Sequence, residues 1–304
     1  MSIALNRRQL FAGLAATAAG VAAARPRSAA AIESIARNNQ HKFKFSLAAY
    51  SYRNLLSSKS GTPELTLDDF IKDCAKMQLE GTELTSYYFP DPVTDEYLRH
   101  LKHLTFTLGL DISGTSTRND FCTPRGEKRD KELAYCKRWV DYAETMGAPV
   151  IRVFSGNPQK GQDPAEGFKL AVEGLEECCE YAGKHGVFLA LENHGGLTAT
   201  VDGMLKLIEA VQSPWFGVNL DTGNFHSETP YDDLGRIAPY AVNVQIKLSM
   251  KPTGGEKYEA DMRRLAKIVA DSGYRGYIVL EYEEAGDPRQ ECPKWIDKLR
   301  EAFV

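Results

Sequence analysis

The sequence predicts an α/β fold, a (β/α)8 TIM barrel, on three observations. Apolar, β-branched runs of strand length alternate with helix-period stretches along the chain. No repeat or linker interrupts the alternation, and of the 304 residues roughly 270 follow the N-terminal segment, the size of one such barrel. Four of the runs, VFLALE, FGVNLD, AVNVQ and YIVLE, end on side chains able to bind metal: Glu192, Asp221, Gln245 and Glu281. An acid or amide ending a buried strand is costly unless it meets a ligand or cation. In such barrels the C-terminal strand ends form the active-site face. An open doubly wound sheet is the alternative, but no glycine-rich phosphate loop follows the first strand.

Each element has a local reason. Residues 43–49 read as the first strand, followed by a helix from Leu67 with Thr66 as its N-cap. Residues 81–84 form a short second strand, and the next helix carries Tyr97, Leu101, Leu104 and Leu108 on one face. Residues 110–114 give the third strand and 131–146 a long helix. A strand at 150–154 precedes a helix over 165–185, which Gly186 ends as a C-cap. Residues 187–192 are the fifth strand, and Thr200 caps the helix after it. Strands at 216–221, 241–246 and 277–281 complete the set, with helices near Tyr231, Asp261 and Pro293. The loop over 249–256, with Pro252, Gly254 and Gly255, reads as a lid.

Composition narrows the partners. A formal charge of −4, without a basic stripe interleaved with aromatics, argues against nucleic acid. Six cysteines form no C-x-x-C pair, and Cys178 and Cys179 share an apolar helix face with Phe168, Ala171, Leu175 and Ala182. Core packing is their expected role. At the N-terminus, Asn6-Arg7-Arg8-Gln9-Leu10-Phe11 resembles a twin-arginine export motif. The Ala/Gly stretch after it is too short and too weakly apolar for a stable membrane anchor. Residues 1–30 are therefore expected to be a signal peptide and 31–304 the barrel domain, which places the mature protein in the periplasm or outside the cell. The oligomeric state stays open, a homo-oligomer included.

Leu191-Glu192-Asn193-His194, Leu220-Asp221-Thr222-Gly223-Asn224, Val244-Gln245-Ile246-Lys247 and Leu280-Glu281-Tyr282-Glu283 together resemble the signatures of the xylose isomerase-like barrel family. That family includes sugar phosphate isomerases and epimerases, D-tagatose 3-epimerase, inosose dehydratase and endonuclease IV. The resemblance implies one divalent cation held by Glu192, Asp221, Gln245 and Glu281, with Glu192 and Glu281 also moving protons. Gln245 stands where the family usually has His, as in some 3-dehydroshikimate dehydratases. The donor set is then all oxygen, favouring Mn²⁺ or Mg²⁺ over Zn²⁺. Asn224 replaces a zinc-binding His of endonuclease IV, and the second and third strands lack its other histidines. A three-zinc DNA-repair site cannot be assembled.

Further candidates surround these residues. His194 follows the fifth strand and could touch substrate hydroxyls or act in proton transfer. Lys247 shares the strand face of Gln245 and could neutralise an oxyanion or pair with an acid of the site. Arg152, in a Val/Ile-rich strand, could pair with a carboxylate, and Glu83 could bond substrate or Arg152. His226 could line the mouth. His100 and His103 have ligand-pair spacing but fall on an outer, charged helix face. Tyr50, Tyr52, Tyr87, Tyr88, Phe89 and Phe121 follow the early strands and could stack on a sugar. The leading function is a metal-dependent isomerase or epimerase that abstracts a proton from a keto-sugar or polyol through an enediolate. The alternatives are a lyase or dehydratase acting on a 3-keto-glycoside or a 3-dehydroshikimate-like compound, and a non-catalytic carbohydrate-binding barrel.

Export is directly testable by fractionation and immunoblotting: changing both Arg7 and Arg8 to Lys should leave unprocessed precursor in the cytoplasm. Normal periplasmic accumulation of that double variant would remove the basis for the localisation.

Overall fold

Eight parallel strands close on themselves. The computed structural model describes residues 32–37, 42–57 and 61–303, so the export segment lies outside the described residues. The barrel strands are β1 (Lys42–Ala48), β2 (Gly81–Thr85), β3 (Asp111–Ser116), β4 (Val150–Val153), β5 (Phe188–Glu192), β6 (Phe216–Asp221), β7 (Ala241–Ile246) and β10 (Arg275–Leu280). Closure is explicit in the pairing: Ser46 of β1 faces Gly81 of β2, and Leu47 faces Leu280 of β10. The open-sheet alternative is excluded.

A single helical turn, α1 (Arg53–Leu56), leaves the first strand region. Helices α2 (Leu67–Lys76), α3 (Asp95–Thr107), α4 (Glu127–Met146), α5 (Pro164–Lys184), α6 (Val201–Ala210), α7 (Pro230–Ile237), α8 (Met262–Asp271) and α9 (Pro288–Ala302) then alternate with the strands. Their starts are chemically marked. Thr66 and Asp69 form a reciprocal capping box, and Thr94, Asp163, Thr200, Asp261 and Asp287 each accept a backbone N–H of the first turn. Past α5 the chain turns at Gly186 with φ +69°, a conformation that costs glycine nothing.

The main apolar core lies between sheet and helices. Strand residues alternate in direction, and Leu189, Leu191, Val218, Leu220, Val244, Ile246, Ile278 and Leu280 are nearly or fully buried. Each such burial is worth roughly 1.5–3 kcal/mol. Helix α5 answers with Leu170, Leu175, Cys178 and Cys179. All six cysteines are buried free thiols, as core packing requires. The alternate strand positions face the lumen, and several of them are small or polar. Ser46 and Ser113 share a hydrogen bond of 2.7 Å there, and Glu83, Asn219, Asn243 and Gln245 are buried above them.

Two features carry no signal in the sequence. The loop expected to act as a lid is partly a hairpin, β8 (Ser249–Met250) against β9 (Tyr258–Glu259). It is tied to the loop after β10 because Glu284 accepts from Ser249 at 2.6 Å and pairs with Lys257. The segment 32–37 also closes the N-terminal end of the barrel. There Ile35 donates its N–H to Pro239, and Arg37 donates to the Ala241 carbonyl at 2.9 Å while lying over the Tyr274 ring. Among the described residues no helix is long and apolar enough to cross a membrane.

Gly81 allows the barrel to close at β2. A Cβ there would stand 2.6 Å from the Tyr277 ring and 3.1 Å from the Ser113 Cβ, whereas at Gly235 it would meet nothing within 4 Å. Gly81→Val should therefore lower stability by about 1–3 kcal/mol, the usual cost of overpacking. Gly235→Ala should not lower it. Urea unfolding followed by circular dichroism measures both, and an unshifted midpoint for Gly81→Val would contradict the closure geometry.

Candidate active site

The C-terminal strand ends carry an unusual charge load. Glu192 and Asp221 are the last residues of β5 and β6, Gln245 is next to last in β7, and Glu281 follows β10 directly. Register aligns them: Asp221 is paired with Gln245 across β6 and β7, and Gln245 with Val279, two residues before Glu281. Glu192, Asp221 and Glu281 are each at most 6% exposed. Their common neighbour is Lys247, whose Nζ lies 3.5 Å from Asp221, 3.3 Å from Glu281 and 3.0 Å from Glu283. Arg152 of β4 pairs with Glu192 at 2.9 Å. That contact is close but misaligned for a hydrogen bond, since Arg152 Nε has no hydrogen-bond acceptor. Its Nη1 donates to the Thr117 carbonyl at 2.7 Å.

Other side chains orient these groups. Asn224 donates to Glu192 at 2.9 Å, and Asn193 bridges β5 to β6 by exchanging two bonds with the Asp221 backbone. The Thr198 hydroxyl caps the Glu192 carbonyl. Beneath the carboxylates a closed ring of amides spans the lumen. Asn243 donates to Glu83 and to Asn219 at 2.8 Å each, Asn219 donates to Gln245 at 2.6 Å, and Gln245 donates to Glu83 at 2.6 Å.

The acids are not comfortable as anions. Burial, opposed by Arg152 and reinforced by Glu281, pushes Glu192 up to about 7. Burial and then Glu281 likewise push Glu83 up to about 7, against the hydrogen bonds from Asn243 and Gln245. Asp221 is raised well above its ordinary value, first by burial, with Glu192 and Glu281 adding to it and Lys247 opposing. Burial works against the Lys247 charge, but Asp221, Glu281, Glu283 and Glu192 together outweigh it. Burial and the nearby Arg152 and Lys247 lower His194 and favour its neutral ring.

A cavity of about 230 Å³ opens on this cluster, lined by Tyr50, Tyr87, Arg118, Phe154 and His194 besides the charged groups. Tyr50 and Tyr87 meet edge to face at 6.4 Å, and Phe154 lies 4.6 Å from His194. A larger cavity of about 440 Å³ lies outside the barrel between α2 and α9. Its Asp73 is paired with Arg289 and Lys76, and it contains none of the strand-end acids.

Several sequence expectations need correction. Glu83 bonds Asn243 and Gln245 rather than Arg152, and at 1% exposure it is sealed below the cavity. His226 is outside the cavity lining; its ring bonds the Lys251 carbonyl on the hairpin loop. Of the early aromatics only Tyr50 and Tyr87 face the cavity. Tyr52 packs on Phe70, Phe89 on Trp139, and Phe121 is fully buried. His100 needs no correction: it is on the outer surface, where it bonds Asp68. Asn219 and Asn243 join the site without having stood out in the sequence, although each lies two residues before a singled-out position and so shares its strand face. Arg118 and Glu283 lie in loops, where no periodicity marks a direction.

A cation fits the donor set. Asp221 Oδ2 is buried without a hydrogen-bond donor. Five carboxylates, Glu83, Glu192, Asp221, Glu281 and Glu283, share the region with two buried cations, Arg152 and Lys247. With all five ionised the surplus is negative, and oxygen donors of this kind suit hard divalent ions. The Lys247 ammonium stands between the acids, and among the described residues no trio of His, Cys, Asp and Glu is already gathered to metal-holding distance.

The model of one family, the xylose isomerase-like TIM barrel, matches residues 71–301. The chain belongs to this family. A putative hydroxypyruvate isomerase of Streptomyces coelicolor is 26% identical over 190 residues, 56% of this chain and 66% of that protein. D-Psicose 3-epimerase from Clostridium cellulolyticum H10 superposes with a TM-score of 0.70 at 15% identity, covering 86% of this chain and 99% of its own. A probable 3-DHS dehydratase from Bacillus anthracis gives a TM-score of 0.64 at 19% identity over 84% and 98%. At these identities the two structures share the fold with this chain.

The raised acids set a pH dependence for protein freed of divalent cations. Glu83 and Glu192 have folded values of about 7 against an ordinary 4.5. Protonation therefore stabilises the fold fully below 4.5, and that contribution is lost as pH rises through 7. Raising a folded-state pKa by one is worth about 1.4 kcal/mol. Chelator-treated protein should melt at a lower temperature at about pH 8 than at about pH 5.5, with a smaller difference in Glu192→Gln. Equal slopes for the two proteins by calorimetry would contradict the assignment to Glu192.

Proposed function

We propose that the protein is a divalent-cation-dependent isomerase or epimerase acting on a keto-sugar or related polyol. The observation that carries this reading is the burial of Glu192, Asp221 and Glu281 together at the C-terminal strand ends, with Asp221 and Glu281 both within 3.5 Å of the Lys247 ammonium. Glu192, Asp221, Glu281 and the Gln245 carbonyl would hold the cation, Mn²⁺ or Mg²⁺. When bound, such an ion supplies positive charge to the oxygens of an α-hydroxy carbonyl compound and acidifies the C–H between them.

The chain's own groups do the rest. Glu192, with an affinity for protons close to neutrality, is suited to take a proton and return it. Asn224 and Arg152 hold it in place from two directions. Glu281 is the second proton carrier. Lys247, already bonded to Asn224 and Glu283, would stay on those partners and offer its charge to a substrate oxyanion. His194, kept neutral by burial and its cationic neighbours, would bond substrate hydroxyls. The edges of Tyr50 and Tyr87 would bound the sugar's apolar face.

Elimination from a keto-glycoside or a 3-dehydroshikimate-like acid is the second reading. It begins with the same proton removal and differs in expelling a β-leaving group. Arg118 favours it: this guanidinium lies 4.8 Å above the Tyr87 ring at the cavity and has no carboxylate partner among the described residues. An acidic substrate would supply one. The family relationship and the superpositions support both readings at the level of fold and class.

Glu192→Gln and Glu281→Gln keep an oxygen donor of nearly the same shape and remove the basic carboxylate. Each should keep bound Mn²⁺ yet lose at least about a hundredfold in rate, the lower end for general acid–base catalysis. Deuterium uptake from solvent at the substrate carbon should fall in parallel. Aglycone or water release from keto-glycosides and acidic keto compounds separates elimination from epimerisation. Sugar binding with no exchange at carbon in the wild type would reduce the protein to a binding barrel. Near-normal turnover by metal-loaded Glu281→Gln would leave that residue a ligand only.

A further inference from the structure

The amide ring in the lumen has one direction, and Glu83 sets it. Ionised, Glu83 only accepts, and in that form both nitrogens that meet it are donors, one on each carboxylate oxygen: Asn243 Nδ2 at 2.8 Å and Gln245 Nε2 at 2.6 Å. Asn243 Nδ2 also reaches Asn219 Oδ1 at 2.8 Å, which turns the Asn219 nitrogen toward Gln245 Oε1 at 2.6 Å. Each amide could in isolation be turned end for end. Within the ring each orientation follows from the β2 carboxylate, which only accepts when ionised. All four residues are at most 2% exposed, so water does not compete for these bonds.

We infer that Glu83 is a positioning residue that fixes the Gln245 amide with its nitrogen inward and its carbonyl as the end left for a cation. This rests on the proposed cation site. Glutamine differs from histidine as a ligand in that only one of its two ends can bind a cation. Turned over, Gln245 would present an NH₂ group, which repels a cation and binds none. A carboxylate behind it does for the amide what an outer-shell carboxylate does for a ligand imidazole, holding one orientation. Asn219 donates to the same carbonyl and leaves its second lone pair free. The ring also explains why a β2 acid and two strand asparagines accompany a glutamine on β7: together they give its two unlike ends unlike partners.

The test is cation affinity, read by Mn²⁺ titration calorimetry on the full-length mature protein, with folding checked by circular dichroism. Wild type should bind one Mn²⁺ per chain, and Gln245→Ala should bind it more weakly. Glu83→Ala should lose about tenfold or more in affinity, in the range for removal of an outer-shell partner. Removing a buried acceptor could also disturb packing, so a charge-conserving exchange is the second arm. In the double variant Glu83→Gln/Gln245→Glu the new amide at 83 can accept from Asn243 and donate to the new carboxylate at 245. Either end of that carboxylate is an oxygen, so affinity should return to within a few-fold of wild type, above that of Glu83→Ala. Infrared difference spectra with carbonyl-labelled glutamine should show a Mn²⁺-dependent carbonyl shift in wild type that Glu83→Ala lacks. Wild type that binds no Mn²⁺ would overturn the cation site and this inference with it. Wild type that binds Mn²⁺ while Glu83→Ala binds equally well would overturn the inference alone. So would a folded exchange variant that stays as weak as Glu83→Ala.

Discussion

Buried negative charge at the mouth of the barrel is the constraint from which the rest of the site follows. Two unit charges 4 Å apart interact by about 4 kcal/mol even at an effective dielectric constant of 20. Glu192, Asp221 and Glu281 are all buried at the same end of the barrel, so the fold must provide compensation. Arg152 comes up from β4 beneath Glu192, and Lys247 leans in from the end of β7 across Asp221, Glu281 and Glu283. The compensation stays incomplete, which is why Glu192, Glu83 and Asp221 hold protons more tightly than exposed acids do. A structural core would have no use for such an arrangement. Acids perturbed by burial and by one another in this way cluster at functional sites.

The same constraint reaches down into the lumen. Many barrels of this kind fill the lumen with branched apolar side chains. Here Ser46, Ser113, Asn219 and Asn243 take those places, and stability is drawn from the layer between strands and helices. A polar lumen is tolerable because its groups satisfy one another: the four-residue ring leaves Glu83, Asn243 and Asn219 bonded without water. The ring joins β2 to β6 and β7 across the barrel and anchors the Gln245 amide from below. Above it, Asn193 and Asn224 hold the strand ends and the Glu192 carboxylate. The strand-end side chains are thus supported by hydrogen bonds from the strands and from the turns that leave them.

Much of this is legible along the chain because it is local. The β6 and β7 boundaries follow from β-branched runs bounded by turns, and Thr66, Thr200 and Asp261 mark helix starts by a hydrogen bond only a few residues long. Glu192, Asp221, Gln245 and Glu281 stand out because an acid or amide after an apolar run is conspicuous whatever its partner. The pairing of Arg152 with a carboxylate can be anticipated from its lone charge in a Val/Ile strand. The hairpin β8–β9 is less visible, since strands of two residues carry no periodicity.

The sequence by itself determined the fold class, the four strand-end residues and their common face, because strand alternation and helix period are properties of neighbouring residues. Only tertiary structure decided which partners those residues meet. Glu83 could not be assigned to Asn243 and Gln245 from the chain, being about 160 residues away from them. Nor could Tyr50 and Tyr87 be separated from Tyr52, Phe89 and Phe121, since all follow strands and only the loop paths turn two toward the cavity. Partner choice across a closed barrel is set by register and by the direction in which each strand end leaves the sheet. Both are fixed only when the last strand pairs with the first.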